Sequence, residues 1–202
     1  MQNILPLEPG CFYHIYTHGV GGRNVFAEPE NYRYFLALYD KYIPQVADTF
    51  AWALMPNHFH LLIRIKIPTI PDRVSNPVRD STSPNPSNQF SKLLNAYAQA
   101  YNKFTGQWGA LFQRPFKRKR IDDESHLKRV LVYIHNNPVH HDFCSHTLEY
   151  PWTSYLNCLK TDCPENTIRK EILDWFGGAD AYKTYHDQKL PELIFGIEIE
   201  IE

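Results

Sequence analysis

Between His58 and Lys66 the chain alternates in character. His58, His60, Leu62, Arg64 and Lys66 fall on one face of a predicted strand, and Phe59, Leu61, Ile63 and Ile65 fall on the other, which is set for a core. Pro56-Asn57 just before it reads as a turn, and Phe50 to Met55 as a short apolar strand leading into that turn. Upstream, Cys11 to His18 has strand character and ends in the glycine-rich Gly19-Val-Gly-Gly22. Tyr34, Phe35, Leu38, Tyr42 and Val46 recur at helical spacing, which predicts a helix over Glu30 to Val46 with Pro29 at its start. A second helix is predicted over Gln89 to Phe104, with Phe90, Leu93, Leu94, Tyr97 and Tyr101 as its apolar stripe and Gly106 as its stop.

The basic stretch Phe116 to Ile121 follows as an edge strand with charge on both faces. After it, Asp122 or Asp123 caps a helix closed by Pro138, with Leu127, Val130, Leu131 and Ile134 as its buried stripe. Tyr133 and Asn137 are four apart on a neighbouring stripe, so both reach towards one point. Tyr150 to Tyr155 is an aromatic turn expected to pack back on the domain, and Asn166 to Phe176 and Ala179 to Gln188 read as two short helices. Residues 67–88 hold five prolines among Ser, Asn and Asp and read as a loop insertion. This gives a domain over residues 1–160 and, over 161–202, a helical extension with an acidic tail.

Composition narrows the class. A chain of 202 residues with 43% hydrophobic and 21% charged content can bury a sizeable core. The net charge of −1 excludes a uniformly basic nucleic-acid binder but allows a local patch. Arg114, Lys117, Arg118, Lys119 and Arg120 form one within seven residues, interleaved with Phe112 and Phe116, and Arg23 sits at the exit of the glycine turn. Cys11, Cys144, Cys158 and Cys163 show no metal or disulfide spacing. With no signal peptide and no long apolar run, the expectation is a cytoplasmic protein with reduced thiols and no membrane association.

His58 and His60 are the first candidate chemistry. Two imidazoles two residues apart on a strand point the same way at about 7 Å separation and can share a metal ion. The same alternation also occurs on plain polar strand faces. Tyr133, on its own, also fits helix packing, and Tyr97 and Tyr101 are rival tyrosines whose shared stripe with Phe90 and Leu94 assigns them to a core.

Five segments in order carry a family resemblance: Tyr13-His-Ile-Tyr-Thr-His-Gly, Met55-Pro-Asn-His-Phe-His-Leu-Leu, Leu111-Phe-Gln-Arg-Pro-Phe-Lys, Tyr133-Ile-His-Asn-Asn-Pro-Val and Tyr150-Pro-Trp-Thr-Ser-Tyr. Over about Cys11 to Tyr155 the chain resembles the single-tyrosine HUH transposases, within them the REP-associated tyrosine transposases. The resemblance implies an α+β, ferredoxin-like or RRM-like fold, a central antiparallel sheet with helices on one side. It also implies a divalent metal, Mg²⁺ or Mn²⁺, at His58, His60 and Asn137, and Tyr133 as the nucleophile of a 5′-phosphotyrosine intermediate on single-stranded or hairpin DNA. Many relatives carry Gln at the position of Asn137; the shorter Asn leaves direct ligation and a water bridge as alternatives. Arg23, Arg114, Lys117, Arg118, Lys119 and Arg120 are the expected DNA contacts. The expected function is therefore that of a metal-dependent single-strand endonuclease and strand transferase, as monomer or homodimer. The alternatives are a non-catalytic hairpin-binding descendant and an RRM-like RNA binder.

Overall fold

In the computed structural model, residues 5–68, 84–160 and 167–188 are described. Four strands, β1 (Phe12–His18), β2 (Ala47–Met55), β3 (His58–Ile65) and β4 (Lys117–Ile121), form one antiparallel sheet in the order β2-β3-β1-β4. Helix α1 (Pro29–Tyr42) connects β1 to β2, and α2 (Pro86–Thr105) connects β3 to β4. The order strand, helix, strand, strand, helix, strand is ferredoxin-like. Helices α3 (Glu124–His140), α4 (Thr167–Phe176) and α5 (Ala179–Asp187) follow.

The alternation on β3 splits the molecule into two cores. Phe59, Leu61, Ile63 and Ile65 meet Phe35, Leu38 and Tyr39 of α1 and Phe90, Leu93 and Tyr97 of α2. On the opposite face, Leu62 joins Phe50, Ala51 and Ala53 of β2 beneath Val130, Leu131 and Ile134 of α3. A register irregularity between Thr49 and Ala51 sends both Phe50 and Ala51 to this second face. Helices therefore cover both faces rather than one. Ile172, Phe176 and Tyr182 bring α4 and α5 into the second core, because without them the apolar patch around Phe12 and Phe50 would stand in water. Trp175 stacks on Phe50 with ring centroids 5.1 Å apart, and Arg64 pairs with Glu171 at 2.8 Å.

Several boundaries differ from expectation for local reasons. Helix α1 ends at Tyr42, and Val46 instead enters the core from the turn beyond it. Strand β2 starts earlier, at Ala47, where Asp48 and Thr49 pair with β3 although they are polar. Helix α2 starts at Pro86, inside the stretch read as loop. Asn85 caps it by accepting a hydrogen bond from the Asn88 amide, and a proline at the first helical position costs no bond. Pro138 lies within α3, not at its end: it forfeits one hydrogen bond to Ile134, and the helix runs on to His140. From Val130 to Pro138, α3 is buried on nearly every side rather than along one stripe, because α5 covers its back. The aromatic turn packs back as expected: Trp152 stacks on Tyr32 at 4.5 Å, and Ser154 N donates to Trp52 O on the edge of β2. The acidic tail, Cys163 and residues 69–83 lie outside the described residues.

Candidate functional site

The sheet register decides which side chains meet. His18 pairs with His58, Tyr16 with His60 and His14 with Leu62, so these side chains share the face covered by α3. Tyr97 and Tyr101 belong to the other core, where their hydroxyls donate to Val25 O at 2.6 Å and Asn24 O at 3.1 Å. They are separated from the histidines by the sheet. Tyr133 lies over them: its ring centroid is 5.6 Å from that of His60, 6.2 Å from His14 and 6.1 Å from His140. Asn137, one turn later, reaches His58, with Oδ1 3.1 Å from Nε2. The four residues His58, His60, Tyr133 and Asn137 are thus brought together, all at most 5% exposed.

The protonation pattern around His58 is informative. Nδ1 lies 2.7 Å from Asn57 Oδ1, an acceptor, so this nitrogen carries the ring proton. Nε2 then faces the side-chain amide of Asn137 at 3.1 Å. Asn137 Nδ2 is buried without a hydrogen-bond partner in this orientation. An amide turned over would instead donate Nδ2 to the ring. Burial, with His18 close by, holds the His58 pKa down at about 3, so the ring is neutral and free to ligate at pH 7. Burial also holds His60 well below the ordinary histidine range.

This donor set is two imidazoles and an amide, with no carboxylate. Among the described residues there is no group of three or more His, Cys, Asp or Glu side chains arranged to hold a metal. Imidazoles alone also accept Zn²⁺ or Ni²⁺, and bind them more readily than Mg²⁺ or Mn²⁺, which favour oxygen donors. A cavity of about 440 Å³ opens beside His58, lined by His18, Asn57, His141 and Phe143 among others. The larger cavity, about 670 Å³, is elsewhere, between α2 and the connector from Gly109 to Phe116. Of the candidate site residues, His58 lines the smaller cavity, whereas His60, Tyr133 and Asn137 are not among its lining residues.

The expected DNA-contact residues separate into three groups. Lys117 and Lys119 pair across the sheet with Tyr16 and His14 and so share the Tyr133 face. Arg114 and Arg118 line the larger cavity, where Arg114 bonds Asn95 Oδ1 and Arg118 donates to Ser87 Oγ at 2.8 Å. Arg120 pairs with Glu8 and Asp122, both at 2.6 Å, and Arg23 donates to Ala110 O at 2.7 Å. The run is therefore not one continuous surface.

Comparison with known proteins bears on the fold and on what the chain resembles. No family model matches the chain. A Haemophilus influenzae protein provisionally named a REP-associated tyrosine transposase is 26% identical over 136 residues, covering 66% of this chain and 69% of that protein. A solved REP-associated tyrosine transposase bound to a REP hairpin matches with a TM-score of 0.56 over 79% of this chain and 85% of its own, at 14% identity. The chain is similar to proteins named REP-associated tyrosine transposases. At this identity the structural match speaks for the fold alone, an α+β sheet with helices packed on it.

Two clusters escaped sequence reasoning. His14 Nε2 lies 2.9 Å from His60 Nδ1, and both rings are buried. The alternation of His14, Tyr16 and His18 against Tyr13, Ile15 and Thr17 carried that signal. The second is His135 with His186, Tyr182 and Ser154, a buried hydrogen-bonded group behind α3. It joins three separate elements, and no local periodicity announces it.

Proposed function

We propose that this protein nicks and transfers single-stranded DNA at a hairpin, with Tyr133 as the nucleophile. The observation that supports it most is the meeting of Tyr133 with His58, His60 and Asn137 on one buried face, where His58 Nε2 and the Asn137 side-chain amide stand 3.1 Å apart. The hairpin as substrate follows the solved relative, which is bound to one.

His58, His60 and Asn137 would hold a divalent cation, Mg²⁺ or Mn²⁺. When bound, such an ion polarises a phosphate oxygen and offsets the charge that develops during displacement. Asn57 keeps the His58 proton on Nδ1 and so leaves Nε2 available. Helix α3 fixes Tyr133 one turn before Asn137, which ties the nucleophile to the phosphate-binding point. Tyr133 Oη attacks phosphorus, the P–O3′ bond breaks, and the 5′-phosphate stays on the tyrosine. The proton lost by the phenol is matched by the one gained at the leaving 3′-oxygen. A 3′-hydroxyl later attacks the phosphotyrosine and restores the phenol. Lys117 and Lys119, on the same face, are the backbone contacts of first choice; Arg114 and Arg118 would hold a flanking strand at the α2 side.

Covalent trapping on labelled hairpin DNA, with Mn²⁺ or with EDTA, tests this. The expected result is a denaturation-resistant adduct that requires both Mn²⁺ and Tyr133 and is absent in Tyr133→Phe, which still binds. An adduct that persists in Tyr133→Phe refutes the assignment. The 5% exposure of Tyr133 supports a second reading, in which the protein binds hairpins without cutting. Binding without an adduct across several hairpins would favour it.

A further inference from the structure

His14 is a buried histidine that the proposed chemistry leaves without a task. It sits on β1, 2% exposed, facing α3. Its ring lies edge to edge with that of His60, with centroids 5.1 Å apart and planes 26° apart, and Nε2 is 2.9 Å from His60 Nδ1. Tyr16 and Tyr133 pack on His60 at 5.8 and 5.6 Å and confine its plane, but a ring held in place still has two tautomers.

One proton must lie between the two nitrogens. If His60 donates from Nδ1, its Nε2 keeps a lone pair for a ligand. If His14 donates from Nε2, the His60 proton moves to its own Nε2, and that nitrogen can ligate nothing. We infer that His14 is a positioning residue that accepts the Nδ1 proton of His60 and thereby presents the His60 Nε2 lone pair to a divalent cation. The inference rests on the reading of His58, His60 and Asn137 given above.

Both rings are buried, and the 2.9 Å contact between their nitrogens holds a single proton. Asn57 performs the same task for His58 at 2.7 Å. In both cases the outer partner is neutral. A carboxylate there would raise the basicity of the imidazole and add negative charge. An imidazole and an amide orient the ligands and leave the positive charge of the ion to face a phosphodiester.

The test has two independent readouts on the full chain. In the metal-free wild type, long-range ¹⁵N correlation spectra report which His60 nitrogen is protonated, and Nδ1 is expected. A proton on Nε2 overturns the inference, whatever the protein does to DNA. Second, Mn²⁺ is titrated into hairpin complexes of Tyr133→Phe, alone and combined with His14→Phe or His14→Gln. Loss of the acceptor in His14→Phe is expected to weaken Mn²⁺ binding about 10–100-fold. His14→Gln, whose Oε1 can accept the same proton, should stay within a few-fold of the parent. Hairpin affinity in EDTA should be unchanged in both. Equal Mn²⁺ affinity in His14→Phe and its parent refutes the positioning role, as does a His14→Gln variant as weak as His14→Phe. A parent complex that binds no Mn²⁺ instead removes the metal reading itself, and this inference with it.

Discussion

His186 ties the C-terminal helices to α3 through a hydrogen-bond chain that tolerates only neutral rings. Its Nδ1 donates to Tyr182 O at 2.8 Å, which leaves Nε2 as an acceptor for His135 Nδ1 at 3.0 Å. His135 Nε2 then accepts from Ser154 Oγ at 2.8 Å, and Asn136 Nδ2 donates to His186 O at 3.0 Å. Burial, partly offset by the bond to Tyr182, lowers the His186 pKa to about 4; Asp187 and His146 add smaller opposing effects. The folded state therefore resists protonation that the unfolded chain accepts at its ordinary value near ~6.5. Above that pH the ring is neutral in both states and costs nothing. As pH falls from ~6.5 towards 4, unfolding takes up a proton, and stability drops by about 1.4 kcal/mol per pH unit, on the order of 3 kcal/mol in all. Replacing His186 with Phe removes two buried hydrogen bonds and should cost about 2–3 kcal/mol at pH 7.5. At pH 5 the variant no longer carries the protonation penalty, which by then is about 2 kcal/mol for the wild type. The deficit should shrink to about 1 kcal/mol or less. Urea unfolding of both proteins at the two pH values measures this. A deficit that is the same at pH 5 and pH 7.5 would refute the linkage.

Two further perturbations probe the supports of the site. A Cβ on Gly19 would lie 2.0 Å from Arg23 O, a backbone atom that cannot swing aside, so Gly19→Ala should destabilise by about 2 kcal/mol or more in thermal or urea unfolding. Because Gly19 N donates to Asn57 O at 2.7 Å, the same variant should weaken Mn²⁺ binding; an unchanged melting temperature would contradict the packing described. Arg64 pairs with Glu171 at 2.8 Å and lies over the rings of Phe12 and Phe50, so Arg64→Ala should cost about 1–2 kcal/mol and make α4 and α5 more open to limited proteolysis. Unaltered cleavage kinetics would mean that the apolar contacts alone hold those helices.

Much of this arrangement is legible in local pattern. The alternation on β3 places Phe59, Leu61 and Ile63 in one core and the histidines on the opposite face, because strand geometry allows no other outcome once one face is buried. The four-residue spacing of Tyr133 and Asn137 and the core role of Tyr97 follow from helical period in the same way. What pattern does not carry is pairing across the chain. Nothing near residues 117–120 tells Lys119 from Arg118; the register with β1 does, putting one on the Tyr133 face and the other against Ser87. The burial of α3 on all sides likewise depends on α5, some 50 residues later, through His186. Pro138 misleads for a different reason. A proline removes only one hydrogen bond, and packing of the last turn outweighs that loss.

Helix α3 reconciles two demands that usually conflict. Its Val130, Leu131 and Ile134 rest on Phe50, Ala51, Ala53 and Leu62, a contact that stabilises the fold irrespective of chemistry. Tyr133 and Asn137, on the adjoining stripe of the same rigid rod, lie over His14, His58 and His60, where ring contacts and a polar contact to His58 replace the apolar packing and one amide nitrogen has no partner. An apolar side chain in place of Asn137 removes the amide whose Nδ2 has no partner, so the metal-free protein is expected to tolerate Asn137→Leu with little loss in stability. The polar end of α3 is thus costly to the empty fold, while its apolar end keeps that cost from displacing the helix. A divalent cation bound between His58 and Asn137 would reverse the balance, and Mn²⁺ should raise the melting temperature of the wild type while leaving that of Asn137→Leu where it was. Equal stabilisation of both proteins by Mn²⁺ would mean that the ion binds somewhere else.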